Sequence, residues 1–239
     1  MREKAVIILG TRGIPARHGG FETFAEHLAL YLVERGWAVT VYCQANDGDG
    51  VTQSEWRGIR LVHIPVAQQG ALGTIVFDWK SVRHAARAEG LILTLGYNTA
   101  VFSLMHRLHG QKNIMNMDGI EWRRDKWSLP EKAWLFANEW LGARLAIHLI
   151  ADHPEIQRHL ERHTRTSKIS MIPYGADRVK GADPEMLAAF GLEPDGYYIV
   201  IARPEPENSL FEIVAAYSAK RRNKKLVVLG AFPRSSCYE

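Results

Sequence analysis

Gly10, Gly13, Gly19 and Gly20 share one loop, "GTRGIPARHGG", between the apolar run "AVIIL" (Ala5–Leu9) and an amphipathic stretch that begins at Phe21. A strand, a glycine loop and a helix in that order gather backbone N–H groups around an anion, most often a phosphate, at the helix N-terminus. The Gly19-Gly20 pair lets the backbone approach such an anion closely. Glu22, in the first helical turn, complements the dipole and can cap free N–H groups. Two cofactor classes are excluded. The dinucleotide fingerprint needs G-x-G-x-x-G and an acid at the end of the second strand for the ribose, whereas this strand ends "YCQ" (Tyr42–Gln44). The Walker pattern needs Gly-Lys-Ser/Thr, which the loop lacks. A diphosphate outside both classes remains, and so does a plain tight turn that packs helix on strand.

A second set of chemical residues lies in "MDGIEWRRDKW" (Met117–Trp127). Asp118 is a strand-end carboxylate, suited equally to capping a turn and to facing a reacting group. Pairing with Arg123 or Arg124 accounts for Glu121 as well as catalysis does. Arg123, Arg124 and Lys126 interleave with Trp122 and Trp127, a pattern that can stack bases, but one isolated cluster is thin support for nucleic acid. The histidines, among them His148, His153, His159 and His163, include no H-E-x-x-H frame, so no metal site is expected. Cys43 ends an apolar strand and reads as a small core residue. With Cys237 it forms no disulfide framework, which suits a reducing cytoplasm.

These residues need a scaffold, and the pattern supplies one. Strands are expected at Ala5–Leu9, Ala38–Cys43, Ile59–Ile64, Leu91–Leu95, 112–117, 147–151 and 168–173. Helices are expected over Phe21–Arg35, Thr74–Ala88, Thr99–Leu108, 130–146 and after Asp152. Phe21, Phe24, Ala25, Leu28 and Leu32 share one face of the first helix. The stretch 133–151 reads as a buried helix running into a strand, because Asn138, Glu139, Arg144 and His148 break it as a membrane span. The alternation predicts an α/β fold, a Rossmann-like doubly wound parallel sheet with helices on both faces. After Tyr174 glycines, prolines and acids predict a linker, then a fresh β-α-β unit, "YYIVIAR" to "KLVVLG". The expected division is an N-terminal Rossmann-like domain over 1–175, a linker over 176–195 and a partial second domain over 196–239. With 46% hydrophobic and 23% charged residues and a net charge of +4, the chain can bury a core, and its charge alone points to no polyanionic partner.

Five segments in order carry a resemblance: "GGFE" (Gly19–Glu22), "MDGIEWRRDKW", "ADHPEI" (Ala151–Ile156), "IPYGAD" (Ile172–Asp177) and "ARPEPEN" (Ala202–Asn208). Together they resemble family-4 retaining glycosyltransferases, and among these the bacterial rhamnosyltransferase-like branch of surface-polysaccharide synthesis. The resemblance implies the GT-B architecture, two Rossmann-like domains facing a cleft. It implies transfer of a sugar from a nucleotide-diphosphate sugar to a glycan or lipid-linked acceptor, with no other cofactor. It assigns Gly19, Gly20 and Arg203 to the donor diphosphate and Asp118 to the reacting sugar. Glu22, Glu121, Arg123 and Arg124 fall to acceptor-side or loop support. In this setting the basic–aromatic cluster is expected to line the acceptor cleft or meet anionic lipid at the inner face of the membrane. The chain departs from the family where Asp118 replaces a histidine and Asn208 a lysine, and it ends before a glutamate pair of the donor domain. A truncated second domain is therefore expected, completed by pairing with another chain. A catalytically inactive acceptor-binding module is the alternative function. A sugar-nucleotide epimerase is a third, for which the loop offers few acid–base groups.

Overall fold

The computed structural model describes residues 4–17, 19–46, 48, 50–176, 178, 181 and 183–232. Asp177, Cys237 and the tail "PRSSCYE" lie outside the described residues. The chain divides into two compact units, Met1–Gly175 and Ala176–Glu239.

The first unit runs β1 (Ala5–Leu9), α1 (Gly20–Glu34), β2 (Ala38–Ala45), β3 (Thr52–Trp56), β4 (Ile59–Pro65), α2 (Gly70–Ala85) and β5 (Leu91–Leu95). It continues with α3 (Ser103–Leu108), β6 (Asn113–Met117), α4 (Leu129–Leu145), β7 (His148–Ala151), α5 (Pro154–Leu160) and β8 (Ile169–Met171). The strands form one sheet in the order β3-β4-β2-β1-β5-β6-β7-β8. Every pair is parallel except β3 with β4.

Side chains alternate across a strand, so each central strand feeds two cores. Val6 and Ile8 of β1 pack with Val41 of β2 against Ala25 and Ala29 of α1. Both alanines are fully buried, which lets the helix lie close to the sheet. Ile7 and Leu9 of the same strand point the other way, toward Phe77, Val82 and Ala85 of α2. This is the doubly wound arrangement the alternation predicts. Ile8 has no exposed surface, and its truncation to Ala would cost about 2–5 kcal/mol.

Three elements differ from the sequence reading. Strand β3 was not expected, because "TQSEW" shows no apolar alternation and its first four residues are exposed. It is an edge strand joined to β4 by Arg57 and Gly58, both at positive φ (49° and 78°). That two-residue turn matches the twist of a hairpin, and a polar edge discourages sheet-to-sheet pairing. The expected helix near Thr99 is a 3-10 turn over Ala100–Phe102 followed by short α3. Helix α4 is not buried as expected: Trp134, Phe136 and Trp140 are 42–45% exposed, while Asn138 and Glu139 are inside. Those two polar groups have partners there, the Val101 N–H and the Trp122 indole respectively.

The second unit contains α6 (Glu185–Ala188), β9 (Tyr197–Ile201), α7 (Leu210–Ser218) and β10 (Lys225–Leu229). β9 and β10 pair in parallel, with Tyr197 opposite Lys225. Their apolar sequence predicts cover on both faces, yet Ile199, Ile201 and Leu229 are at least half exposed. Among the described residues α7 is the one long helix of this unit, too little to cover a two-stranded sheet.

Candidate functional site

Strand β1 has β2 on one side and β5 on the other. The chain therefore departs in opposite directions at this point, and a crevice opens beyond the carboxyl ends of β1 and β5. A cavity of about 240 Å³ occupies it, lined among others by Gly10, Thr11, Glu22, Asp78, Thr99 and Asp118. An open cleft of about 860 Å³ adjoins it, with Arg12, Arg17, Gln44 and His63 on its walls.

The glycines of the loop fall into two kinds. Gly10 has φ +81°, and a Cβ there would stand 2.1 Å from the Leu95 carbonyl oxygen. Gly13 would meet Cys43 at 2.7 Å. Packing of the loop on the sheet requires both. Gly20 opens α1, and a Cβ on it would meet nothing within 4 Å; one on Gly19 would find only the Glu22 carboxylate, at 3.5 Å. Neither lies in the left-handed region. The fold itself thus makes no demand for glycine at 20, where α1 starts; Gly19, its N-cap residue, has φ −5° and ψ −174°.

Glu22 does not cap its own helix. It reaches back to accept the Arg12 N–H at 2.9 Å and is 7% exposed. Glu26 accepts the Ala16 N–H in the same way, at 2.5 Å. These two carboxylates, one turn apart on α1, tie down the loop and do not cap the first amides of the helix.

Two other carboxyls converge on the cavity. Asp118 follows β6, and burial pushes its pKa up, against a hydrogen bond from the Gly119 N–H; Glu121 and Asp152 push it the same way. Asp78, on α2, accepts a hydrogen bond from the Thr99 hydroxyl at 2.7 Å. Burial moves it up to about 6. Ser81, one turn further on, is 1% exposed, and its hydroxyl has no hydrogen-bond partner among the described residues. Sequence reading missed Asp78, Ser81 and Thr99. The available signal was two polar residues on the face of α2 that carries Phe77, Val82 and Ala85.

The segment after Asp118 is held from within. The Tyr97 hydroxyl donates to the Gly119 carbonyl at 3.0 Å and accepts the Glu121 N–H at 2.8 Å. The Glu121 carboxylate pairs with Arg124 at 3.0 Å and accepts the Trp127 indole N–H at 3.3 Å. The Arg123 guanidinium lies over Trp122, and Lys126 over Trp127, at 5.1 and 4.7 Å from the ring centres. Of the residues named from sequence, Glu22 and Asp118 line the cavity and Gly19-Gly20 adjoin Glu22 in the chain. Glu121, Arg123 and Arg124 organise the neighbouring turn. Arg203 belongs to the second unit, where it is 71% exposed and 3.6 Å from Glu205. Asn208 donates to the Arg203 carbonyl at 2.8 Å, closing the turn after β9. Apart from the cavity, Glu139, His159 and His163 bring their donor atoms within 4.8 Å of one another.

Residues 3–177 match a family described as a domain of unknown function (DUF1972). No curated protein matches the chain. Among solved structures, a UDP-GlcNAc 2-epimerase from Neisseria meningitidis bound to UDP-GlcNAc is 14% identical, with a TM-score of 0.56 over 96% of this chain and 66% of that one. A trehalose-6-phosphate structure from E. coli, bound with UDP-2-fluoro glucose, is 11% identical, with a TM-score of 0.59 over 97% of this chain and 65% of that one. A sucrose-phosphate synthase from Thermosynechococcus elongatus is 14% identical, with a TM-score of 0.53 over 74% and 91% of the two chains. The chain thus spans about two thirds of the length of the first two. These likenesses show the fold: an α/β architecture of the GT-B type.

Proposed function

The chain belongs to the DUF1972 family, and we propose that it serves glycosyl transfer from a nucleotide-diphosphate sugar to a glycan or lipid-linked acceptor, with retention at the anomeric carbon, in bacterial surface-polysaccharide synthesis. One observation carries this reading. At the switch-point crevice, α1 starts at Gly20, a glycine that the fold does not require, with no side-chain cap on its first amides among the described residues, beside a cavity lined by carboxyls. Glycines with free space around them suit a ligand that must come closer than a side chain permits.

In this reading the Gly19 and Gly20 N–H groups face the donor diphosphate. Fixed N–H donors stabilise the charge that grows as the diphosphate departs, and no protein nucleophile is needed. Asp118 stands at the reacting sugar. Asp78, braced by Thr99 and poised near neutrality, accepts the proton of the acceptor hydroxyl. Arg123 and Lys126, exposed on the turn after Asp118, meet an anionic lipid surface peripherally. No described helix is long and apolar enough to cross a membrane.

The pair Asp78 and Asp118 also favours a second reading, acid–base epimerisation of a sugar nucleotide, since two carboxyls of raised pKa share one cavity. One assay separates the two. The protein is incubated with a panel of nucleotide-diphosphate sugars and a polyprenyl-diphosphate-linked glycan. Transfer gives free nucleoside diphosphate and an acceptor heavier by one sugar, and both vanish in Asp118→Asn. Epimerisation gives a new sugar nucleotide with the diphosphate intact. Donors that neither bind nor change would refute the proposal.

A further inference from the structure

Three side chains that the cavity does not use converge on one buried point. Glu139, on α4, is 2% exposed. His159 Nε2 stands 2.7 Å from its Oε1, and His163 Nε2 stands 3.4 Å from the same oxygen. Trp122 Nε1 donates to the other oxygen, Oε2, at 3.0 Å. A carboxylate taken out of water keeps its charge only against a cation or strong donors. These partners are two imidazoles and an indole, and the imidazoles can meet the carboxylate either as N–H donors or as fellow ligands of a bound ion.

We propose that Glu139, His159 and His163 form a binding site for a divalent transition-metal ion of the zinc class. Two imidazole nitrogens and one carboxylate oxygen are a donor set that such ions favour over calcium or magnesium. Bonds of about 2.0–2.1 Å in tetrahedral geometry set ligand atoms about 3.3 Å apart. The three donor atoms all lie within 4.8 Å of one another. The His163 contact already has the right length, and the His159 contact opens by less than an ångström.

The surroundings fit as well. His159 lies on α5 and His163 in the turn that continues it, its N–H bonded to the Leu160 carbonyl at 2.8 Å. One helical turn of separation places both rings on one face. Trp122 holds Oε2 and so fixes the carboxylate with Oε1 toward the histidines, as outer partners of metal ligands do. The His163 side chain is 18% exposed, so the cluster borders solvent on that side. A bound ion would fasten α4 to the segment after β7 and, through Trp122, to the turn after Asp118. The frame escaped sequence reading because its third ligand lies 20 residues before His159, on another helix.

Tag-free protein stripped with chelator and desalted is titrated with Co²⁺ alone, and then with Zn²⁺ in competition. The expected result is one Co²⁺ per chain, with the visible d–d bands of a four- or five-coordinate ion, displaced by Zn²⁺. His163→Ala, at a partly exposed position, keeps the fold by circular dichroism and binds at least about tenfold more weakly. Glu139→Gln abolishes the bands. Featureless spectra, or binding unchanged in His163→Ala, would overturn the proposal and leave the imidazole and indole N–H groups as the partners of the carboxylate.

Discussion

Gly10 and Gly20 sit ten positions apart in one loop and are glycine for different reasons, which makes them a matched pair. A Cβ at Gly20 meets no atom within 4 Å, so Gly20→Val should leave the melting temperature nearly unchanged, while weakening nucleoside-diphosphate binding at least about tenfold by calorimetry. Gly10→Ala forces a Cβ into the Leu95 carbonyl at φ +81° and should cost on the order of 3 kcal/mol or more of stability. Equal effects of the two changes on folding would contradict the assignment. Asp78 makes a second case. An unfolded aspartate titrates near 3.9, and burial in the fold moves this one up to about 6. The folded state therefore binds more protons between those values. Stability is fully present below about pH 4 and falls as pH rises through 6, by on the order of 3 kcal/mol in all. Asp78→Asn should flatten that part of the profile and raise stability at pH 7.5, while suppressing transfer. Urea denaturation from pH 4 to 8 checks it; a profile unchanged by the substitution would place the Asp78 charge in water. Glu22 and Asp118 were legible because each adjoins a motif. Asp78 was not, since its partner Thr99 lies 21 residues away and only the fold joins them.

The elements that sequence disclosed are those whose pattern matches their burial. β1 is apolar throughout and covered on both faces, and α1 carries its stripe at spacings of three and four. Strand β3 escaped because its pairing rests on backbone bonds and a two-residue turn rather than on side chains. Helix α4 misled because its aromatics lie outside and its carboxylate inside. Phe136 and Trp140, four residues apart, share an exposed face of α4, which follows the turn that bears Arg123 and Lys126, and this face bears on the proposed membrane contact. Each charge near an anionic surface contributes about 1 kcal/mol, so Arg123→Gln and Lys126→Gln should each weaken binding to phosphatidylserine vesicles about fivefold, more at low salt. Co-sedimentation indifferent to both charges would remove the membrane contact from the proposal.

On the scale of the molecule, alternating strands and helices made the α/β class readable, but not the order of the strands. The location of the crevice depends on β1 lying between β2 and β5, and the β3–β4 hairpin that intervenes in sequence hides that adjacency. The central claim is that a donor diphosphate meets the first amides of α1 at this crevice. Hydrogen–deuterium exchange with and without a saturating nucleotide-diphosphate sugar reads those amides directly. Protection concentrated at residues 19–23 and around Asp118, absent in Gly20→Val, is the result expected. Unchanged exchange at 19–23 while the nucleotide binds elsewhere, or no binding at all by the folded protein, would contradict it.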